Sequence, residues 1–237
     1  MGLPKFEHPT FELELPSTKQ QIRYRPFLVK EEKMLLMAQS SGSTREILTA
    51  IKQVIENCIV TEGVDVNQFA PFDIEYFFIR LRAKSVNNIV ELTYRDNEDD
   101  ELYSFNVDLE EVKILYPTEP VSSVVELTDG FKLQLQYPGA GMFETLPDNP
   151  SDIDLLYTIV KNCAGVLFKD NESYALKEYS SEEVDELIQS FPVNAFRQIR
   201  QFAESAPKLR HELVYVNKMG NERKIILQNL EDFFTLR

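Results

Sequence analysis

The stretch that most restricts how this chain can fold is Pro71–Val86, Pro-Phe-Asp-Ile-Glu-Tyr-Phe-Phe-Ile-Arg-Leu-Arg-Ala-Lys-Ser-Val. At about 100° per residue, Ile74, Phe77, Phe78 and Leu81 line one side of a helix, and Phe72, Tyr76, Ile79 and Ala83 line a nearly opposite side. Asp73, Glu75, Arg80, Arg82 and Lys84 fill the seams. A surface helix needs one apolar stripe. A helix with two is expected to lie between two layers of its own fold, or between its fold and a partner. Pro71 with two acids at the start, and Arg80, Arg82 and Lys84 near the end, suit helix polarity. Phe77 and Phe78 are expected to be buried within the fold. The candidate structural or interface residues are therefore Phe72, Ile74, Tyr76, Phe77, Phe78, Arg80 and Arg82, with Phe233 and Phe234 near the end of the chain.

Around this helix the periodicities alternate. Phe11–Leu15 and Gln21–Arg25 alternate apolar and polar residues across a Pro16–Lys19 turn, which predicts a β-hairpin. Val29–Gln39 reads as a helix. Ser43-Thr-Arg-Glu46 is a capping-box signature ahead of Ile47, Ala50, Ile51, Val54, Ile55 and Cys58 at helical spacing. After Pro71–Val86 come a second hairpin, Ile89–Tyr94 with Leu102–Val107, and a short stub at Leu109–Val112. The acidic tip between those strands, Asn97–Glu101, reads as a solvated turn, since it lacks the glycine and ligand spacing of a calcium loop. Acid pairs such as Glu31-Glu32 read as solvated faces.

Beyond a proline-bearing linker at 118–123 the order begins again. A hairpin (Val124–Leu127 and Lys132–Tyr137) precedes a loop at Met142–Asn149 and a helix headed by Ser151-Asp-Ile-Asp154. A small extra hairpin (165–179), a helix capped at Ser180, a helix over Val193–Ser205 and a last hairpin (Glu212–Tyr215 and Lys224–Leu227) follow. Glu14-Leu15…Tyr24 then faces Glu126-Leu127…Tyr137. Asn57-Cys58 faces Asn162-Cys163, and Glu91-Leu-Thr-Tyr94 faces Glu212-Leu-Val-Tyr215. The expected fold is α+β, with two pseudo-repeated halves at 1–117 and 124–237, each built as hairpin, two helices, hairpin.

The sequence shows little catalytic chemistry. Gly139-Ala-Gly141 lacks the lysine of a phosphate loop, and His8 and His211 have no partner at metal spacing. Cys58 and Cys163 end apolar helical runs and read as small buried hydrophobes, although a nucleophilic pairing of Cys163 with His211 is left open by sequence alone. The two internal hairpins have the outline of zinc ribbons but no thiols at their tips. No catalytic residue, cofactor or metal is expected. With 43% hydrophobic residues a core can form, and a net charge of -14 disfavours nucleic acid and anionic membranes as partners. No apolar run reaches the roughly 18 residues of a membrane span.

Three stretches together resemble a known group: Tyr24–Ala38, Phe72–Val86 and Asn229–Phe234. They are similar to the T4-type bacteriophage baseplate protein family, which includes hub subunits and hub assembly factors of contractile tails. The resemblance spans nearly the whole chain. It implies a structural or morphogenetic role, with no enzymatic activity and with other baseplate hub or tail proteins as partners. It also implies assembly in the host cytoplasm and a possible place in the virion tail baseplate. The alternative from the residues alone is a cytoplasmic protein-binding adaptor unconnected with virions.

Overall fold

The computed structural model of the protein describes residues 6–41, 43–119, 121–146 and 150–234, without the side chains of Thr44, 143–145, Glu231 and Phe234. The linker residue Pro120, the end of the 142–149 loop and the first half of the N-terminal arm lie outside the described residues.

The chain opens with the antiparallel hairpin β1 (Phe11–Glu14) and β2 (Gln21–Tyr24), in the register Phe11↔Tyr24 to Glu14↔Gln21. The alternation places Leu13, Ile22 and Tyr24 inward and Glu12, Glu14 and Arg23 outward. Helices α1 (Val29–Ser41) and α2 (Thr44–Cys58) pack together as a helical hairpin. α2 begins where the Ser43 hydroxyl accepts the Glu46 N–H at 3.4 Å. It buries Ile51, Val54, Ile55 and Cys58 on one stripe. Next come α3 (Pro71–Ser85) and the hairpin β3 (Ile89–Arg95) with β4 (Leu102–Asp108), paired from Ile89↔Asp108 to Arg95↔Leu102. The stub at 109–112 is a turn, and it leads into a strand the alternation does not reveal, β5 (Lys113–Leu115).

Strands β6 (Val124–Glu126) and β7 (Lys132–Leu135) come next, then a 3-10 turn at Ala140–Thr145 in place of an irregular loop, and α4 (Asp152–Cys163). The hairpin β8 (Ala164–Lys169) and β9 (Glu172–Ala175) extends β6 and β7 into an antiparallel sheet of order β6-β7-β8-β9. A 3-10 turn at Leu176–Glu178 leads to α5 (Ser181–Gln189) and α6 (Val193–Glu204). Full capping boxes start α4 (Ser151 with Asp154) and α5 (Ser180 with Glu183). Val125, Leu133, Leu135, Val160, Cys163, Ile188, Ile199 and Phe202 form one apolar core beneath the sheet and helices. Tyr137 stacks on Phe202 with centroids 4.9 Å apart.

The chain closes with β10 (Lys208–Val216), β11 (Glu222–Leu227) and the short α7 (Leu230–Phe234). β10 pairs on one edge with β11 and on the other with β5, far back in sequence. Two compact units result: one comprises 1–66, 72–115 and 208–237, the other 67–71 and 116–207. The closing hairpin is thus packed with the first unit, because β5 and the β3–β4 hairpin offer it a strand edge and a face. The halves 1–117 and 124–237 describe the order of elements along the chain, whereas the compact units regroup those elements. The fold is α+β, as expected, with small antiparallel sheets.

Candidate functional site

Both stripes of α3 are covered. Ile74, Phe77, Phe78 and Leu81 on one side, and Phe72 and Ile79 on the other, are buried, while Tyr76 and Ala83 are half-buried. Phe77 packs its ring on Tyr24 of β2, with centroids 5.1 Å apart. The charged seams are occupied as well. Asp73 is fully buried near the helix start and accepts hydrogen bonds from the Ser17 backbone N–H at 3.0 Å and from the Ser17 hydroxyl. The half-buried Arg80 guanidinium lies over the Tyr76 ring and donates to the carbonyls of Leu109, Glu110 and Val112 at 3.3, 2.6 and 3.0 Å. It thereby fastens the turn that turns the chain from β4 into β5. Lys84 pairs with Glu110. Arg80 is thereby engaged by backbone carbonyls and Lys84 by a surface ion pair. Arg82 is also half-buried, and burial lowers its pKa.

Phe233 of α7 is fully buried, and Asp232 accepts the backbone N–H groups of Gln228 and Asn229 at 2.7 and 3.0 Å. Burial, with the Asp232 carboxylate as a second and smaller cause, pushes Glu75 of α3 up to about 7. Of the candidate residues, Phe72, Ile74, Tyr76, Phe77, Phe78, Arg80, Arg82 and Phe233 all fall in the first unit. The side chain of Phe234 lies outside the described residues.

Two polar clusters were not legible as such in the sequence. The first corrects the reading of Glu31-Glu32 as a solvated pair: Glu31 is fully buried. Its carboxylate takes Arg25 Nη2 at 2.9 Å and the Leu28 N–H at 2.9 Å, so it caps α1 while neutralising an arginine. Burial raises its pKa, but the bonds from Arg25 and Leu28 outweigh this and the net shift is downward. Arg25 in turn donates to the carbonyls of Pro26 and Asn57, tying β2 to the end of α2.

The second cluster adds partners to the acidic tip 97–101, which is a turn with Asn97, Glu98 and Asp100 exposed, as expected; the buried acid is Asp96, just before it. The β3–β4 and β10–β11 hairpins face each other, with Tyr215 lying 4.7 Å from the Tyr103 ring and 5.2 Å from Phe105, centroid to centroid. At the tips Asp96, fully buried, accepts from the Tyr215 hydroxyl and pairs with Arg223 at 3.3 Å. Glu98 accepts from Asn217 at 2.5 Å and Asn221 at 3.0 Å, and Asp99 accepts from the Lys218 N–H at 3.0 Å. Lys218 also reaches Glu101 at 2.7 Å. The Tyr215 bond holds the Asp96 carboxyl below its ordinary range, and burial pushes the Tyr215 phenol up to about 12. Asp96 loses its water and gains charge-assisted bonds in its place.

The thiols are inert. Cys58 and Cys163 are free and buried, and burial pushes them to about 11 and about 12, so neither is a thiolate at neutral pH. Among the described residues no cluster of three or more His, Cys, Asp or Glu has the arrangement of a metal site, and no helix is long and apolar enough to cross a membrane. The geometry is that of a scaffold: buried polar groups bond to one another, and apolar surface is left outside. On α1, Val29, Leu36 and Met37 are exposed on the side away from the half-buried Met34, Leu35 and Ala38. On the outer face of β10–β11, Val214, Val216 and Ile226 are exposed, as is Met219 in the turn between the strands.

The comparison that decides the family covers almost the entire chain: the family model described as T4 bacteriophage base plate protein matches residues 8–235. The chain belongs to that family. It is a baseplate protein, and the match includes α3, both internal hairpins and α7. No curated protein and no solved structure matches it significantly. For a baseplate protein, exposed apolar strips suit a place in a multi-protein particle.

Proposed function

We propose that this baseplate protein is a component of the baseplate hub or a factor for its assembly, acting by binding other hub or tail proteins and not by catalysis. The observation that carries this reading is the family match over residues 8–235. The exposed apolar residues of α1 and β10–β11 supply surface of the kind protein interfaces use. In this reading Phe72, Ile74, Phe77, Phe78 and Phe233 build the scaffold, while Tyr76, Arg80 and Arg82 hold its seams. The chain assembles in the host cytoplasm, and it uses neither nucleic acid nor membrane as a partner. We also propose that the halves 1–117 and 124–237 descend from one duplicated plan. The tip residues Asp96 and Asn217 support this, since each accepts the backbone N–H two residues ahead, from Glu98 and Met219.

The test is mass spectrometry of purified particles, together with tail counts in cells infected by phage lacking this chain. The reading expects missing or defective tails without it. Detection in particles identifies a lasting hub part, and absence from particles with tail loss identifies an assembly factor. Normal tails without the chain would overturn the role.

A further inference from the structure

The second unit carries a groove of about 190 Å³ lined by Leu167, Tyr174, Leu176, Tyr179, Val184 and Leu187, with Glu183 at its margin. Leu176 and Val184 are buried and form the floor, while Leu167, Tyr174 and Leu187 are half-buried walls and Tyr179 is an exposed rim. The lining is apolar, and the space is smaller than the roughly 300–1,000 Å³ of a small-molecule site. It has no convergent polar groups that would orient a cofactor. Its size suits one large side chain, as in the pockets that receive interface anchors.

The surroundings specify what flanks that side chain. From Glu172 to Glu186 the sequence holds six acidic residues and one basic residue, Lys177. Asp185 is neutralised by Lys161 at 2.6 Å, Glu183 is held in the α5 capping box, and Glu172 accepts from Tyr174 at 2.6 Å. Glu178, Glu182 and Glu186 are exposed to solvent. An anchor entering here brings its neighbours into a negative field, which rewards Lys or Arg and penalises Asp or Glu.

We propose that this groove seats a Leu or Phe side chain from a partner protein segment whose flanking residues are Lys or Arg. The inference rests on the proposed partner-binding role and names a site for it.

The experiment uses the full chain and three fluorescein-labelled peptides: Phe flanked by two Lys on each side, the same peptide with Ala for Phe, and the same with Glu for Lys. Anisotropy gives affinity, and methyl NMR spectra locate binding. The first peptide is expected to bind at least tenfold more tightly than either control and to shift the Leu167, Leu176 and Leu187 methyls. Leu187→Lys and the double change Glu182→Lys with Glu186→Lys are each expected to weaken it at least fivefold while circular dichroism stays native. Equal binding of the Phe and Ala peptides, or shifts confined to other leucines, overturns the proposal, because charge alone would then explain any attraction. If Leu187→Lys unfolds the chain, Tyr179→Ala at the rim replaces it with the same expectation. Normal entry of Leu187→Lys into tails alongside failed peptide binding would sink the groove and leave the baseplate role standing. Loss of the role with intact peptide binding is the reverse case.

Discussion

Helices α3 and α6 are each followed by an antiparallel hairpin, β3–β4 and β10–β11. Their surfaces differ. α3 buries Phe72, Ile74, Phe77, Phe78, Ile79 and Leu81 around most of its circumference. α6 buries one stripe, Ala195, Ile199 and Phe202, against α4 and its core, and leaves Arg197, Gln198, Arg200 and Gln201 in solvent. A helix covered on both sides has little solvent face on which to place charge. Its ionisable groups must then find partners inside, as Asp73 does with Ser17 and Arg80 does with three carbonyls. A one-sided helix sends its charges to water. Position in the chain order therefore does not fix a helix's role; the number of faces its neighbours cover does.

The largest expected effect comes from placing a charge on either covered face, Phe78 on one and Ile79 on the other. Ile79→Asp and Phe78→Asp bury an unpaired carboxylate, and both should leave the protein insoluble, whereas Gln198→Asp on the outward face of α6 should change stability by less than about 0.5 kcal/mol. A soluble, folded Phe78→Asp monomer would make that face an interface instead of a core. Truncation is the next largest. Phe77→Ala removes a fully buried ring from its contact with Tyr24 and should cost about 3–5 kcal/mol in urea unfolding. A cost below about 1 kcal/mol would mean that the side chain is not enclosed.

Glu75 gives the contrast a pH signature. Its folded pKa of about 7 lies above its ordinary value of 4.5. Below pH 4.5 it is protonated folded or unfolded, and its neutral form fits the buried site at no charge penalty. Between pH 4.5 and about 7 the unfolded chain ionises Glu75 while the folded one holds it neutral, so stability is lost progressively and the loss is complete above 7, about 3 kcal/mol at about 1.4 kcal/mol per unit. Glu75→Gln should therefore raise the melting temperature at pH 8 by about 6–12 °C and leave it unchanged near pH 4.5. α6 has no equivalent, since Arg197 and Arg200 are exposed. An equal shift at both pH values would remove the burial explanation.

Much of this contrast was readable in the sequence because it is local. Two apolar stripes at helical spacing announce a doubly covered helix, and Ser43, Ser151 and Ser180 with acids three residues on mark the starts of α2, α4 and α5. What escaped reading is non-local. Glu31 looks like its neighbour Glu32 until Arg25 and the Leu28 N–H are brought to it. The partners of the acidic tip, and the burial of Asp96 beside it, stay hidden until β10–β11 folds back across about half the chain and sets Tyr215, Asn217, Lys218 and Arg223 against Asp96, Glu98 and Asp99. β5 is three residues long and exists as a strand only because β10 pairs with it. The apolar groove went unseen for the same reason, since its walls come from β8, β9 and α5.

The smallest effect is also the sharpest comparison, because it changes the same residue type in both helices. Arg80→Met keeps most of the side-chain volume and removes the donors to Leu109, Glu110 and Val112. Glu110, one of the three acceptors, is exposed and water can replace its bond, so the cost should be about 1–2 kcal/mol rather than the full penalty of three lost charged bonds. Arg200 is exposed, and its bond to Glu204 at 2.7 Å is an i,i+4 surface pair. Arg200→Met should cost no more than about 0.5 kcal/mol, and that small cost should vanish in 0.5 M salt. The Arg80 effect should persist in salt, because its acceptors are backbone dipoles inside the fold. Equal costs, or equal salt dependence, would mean that the two arginines share one environment and that α3 is no more enclosed than α6.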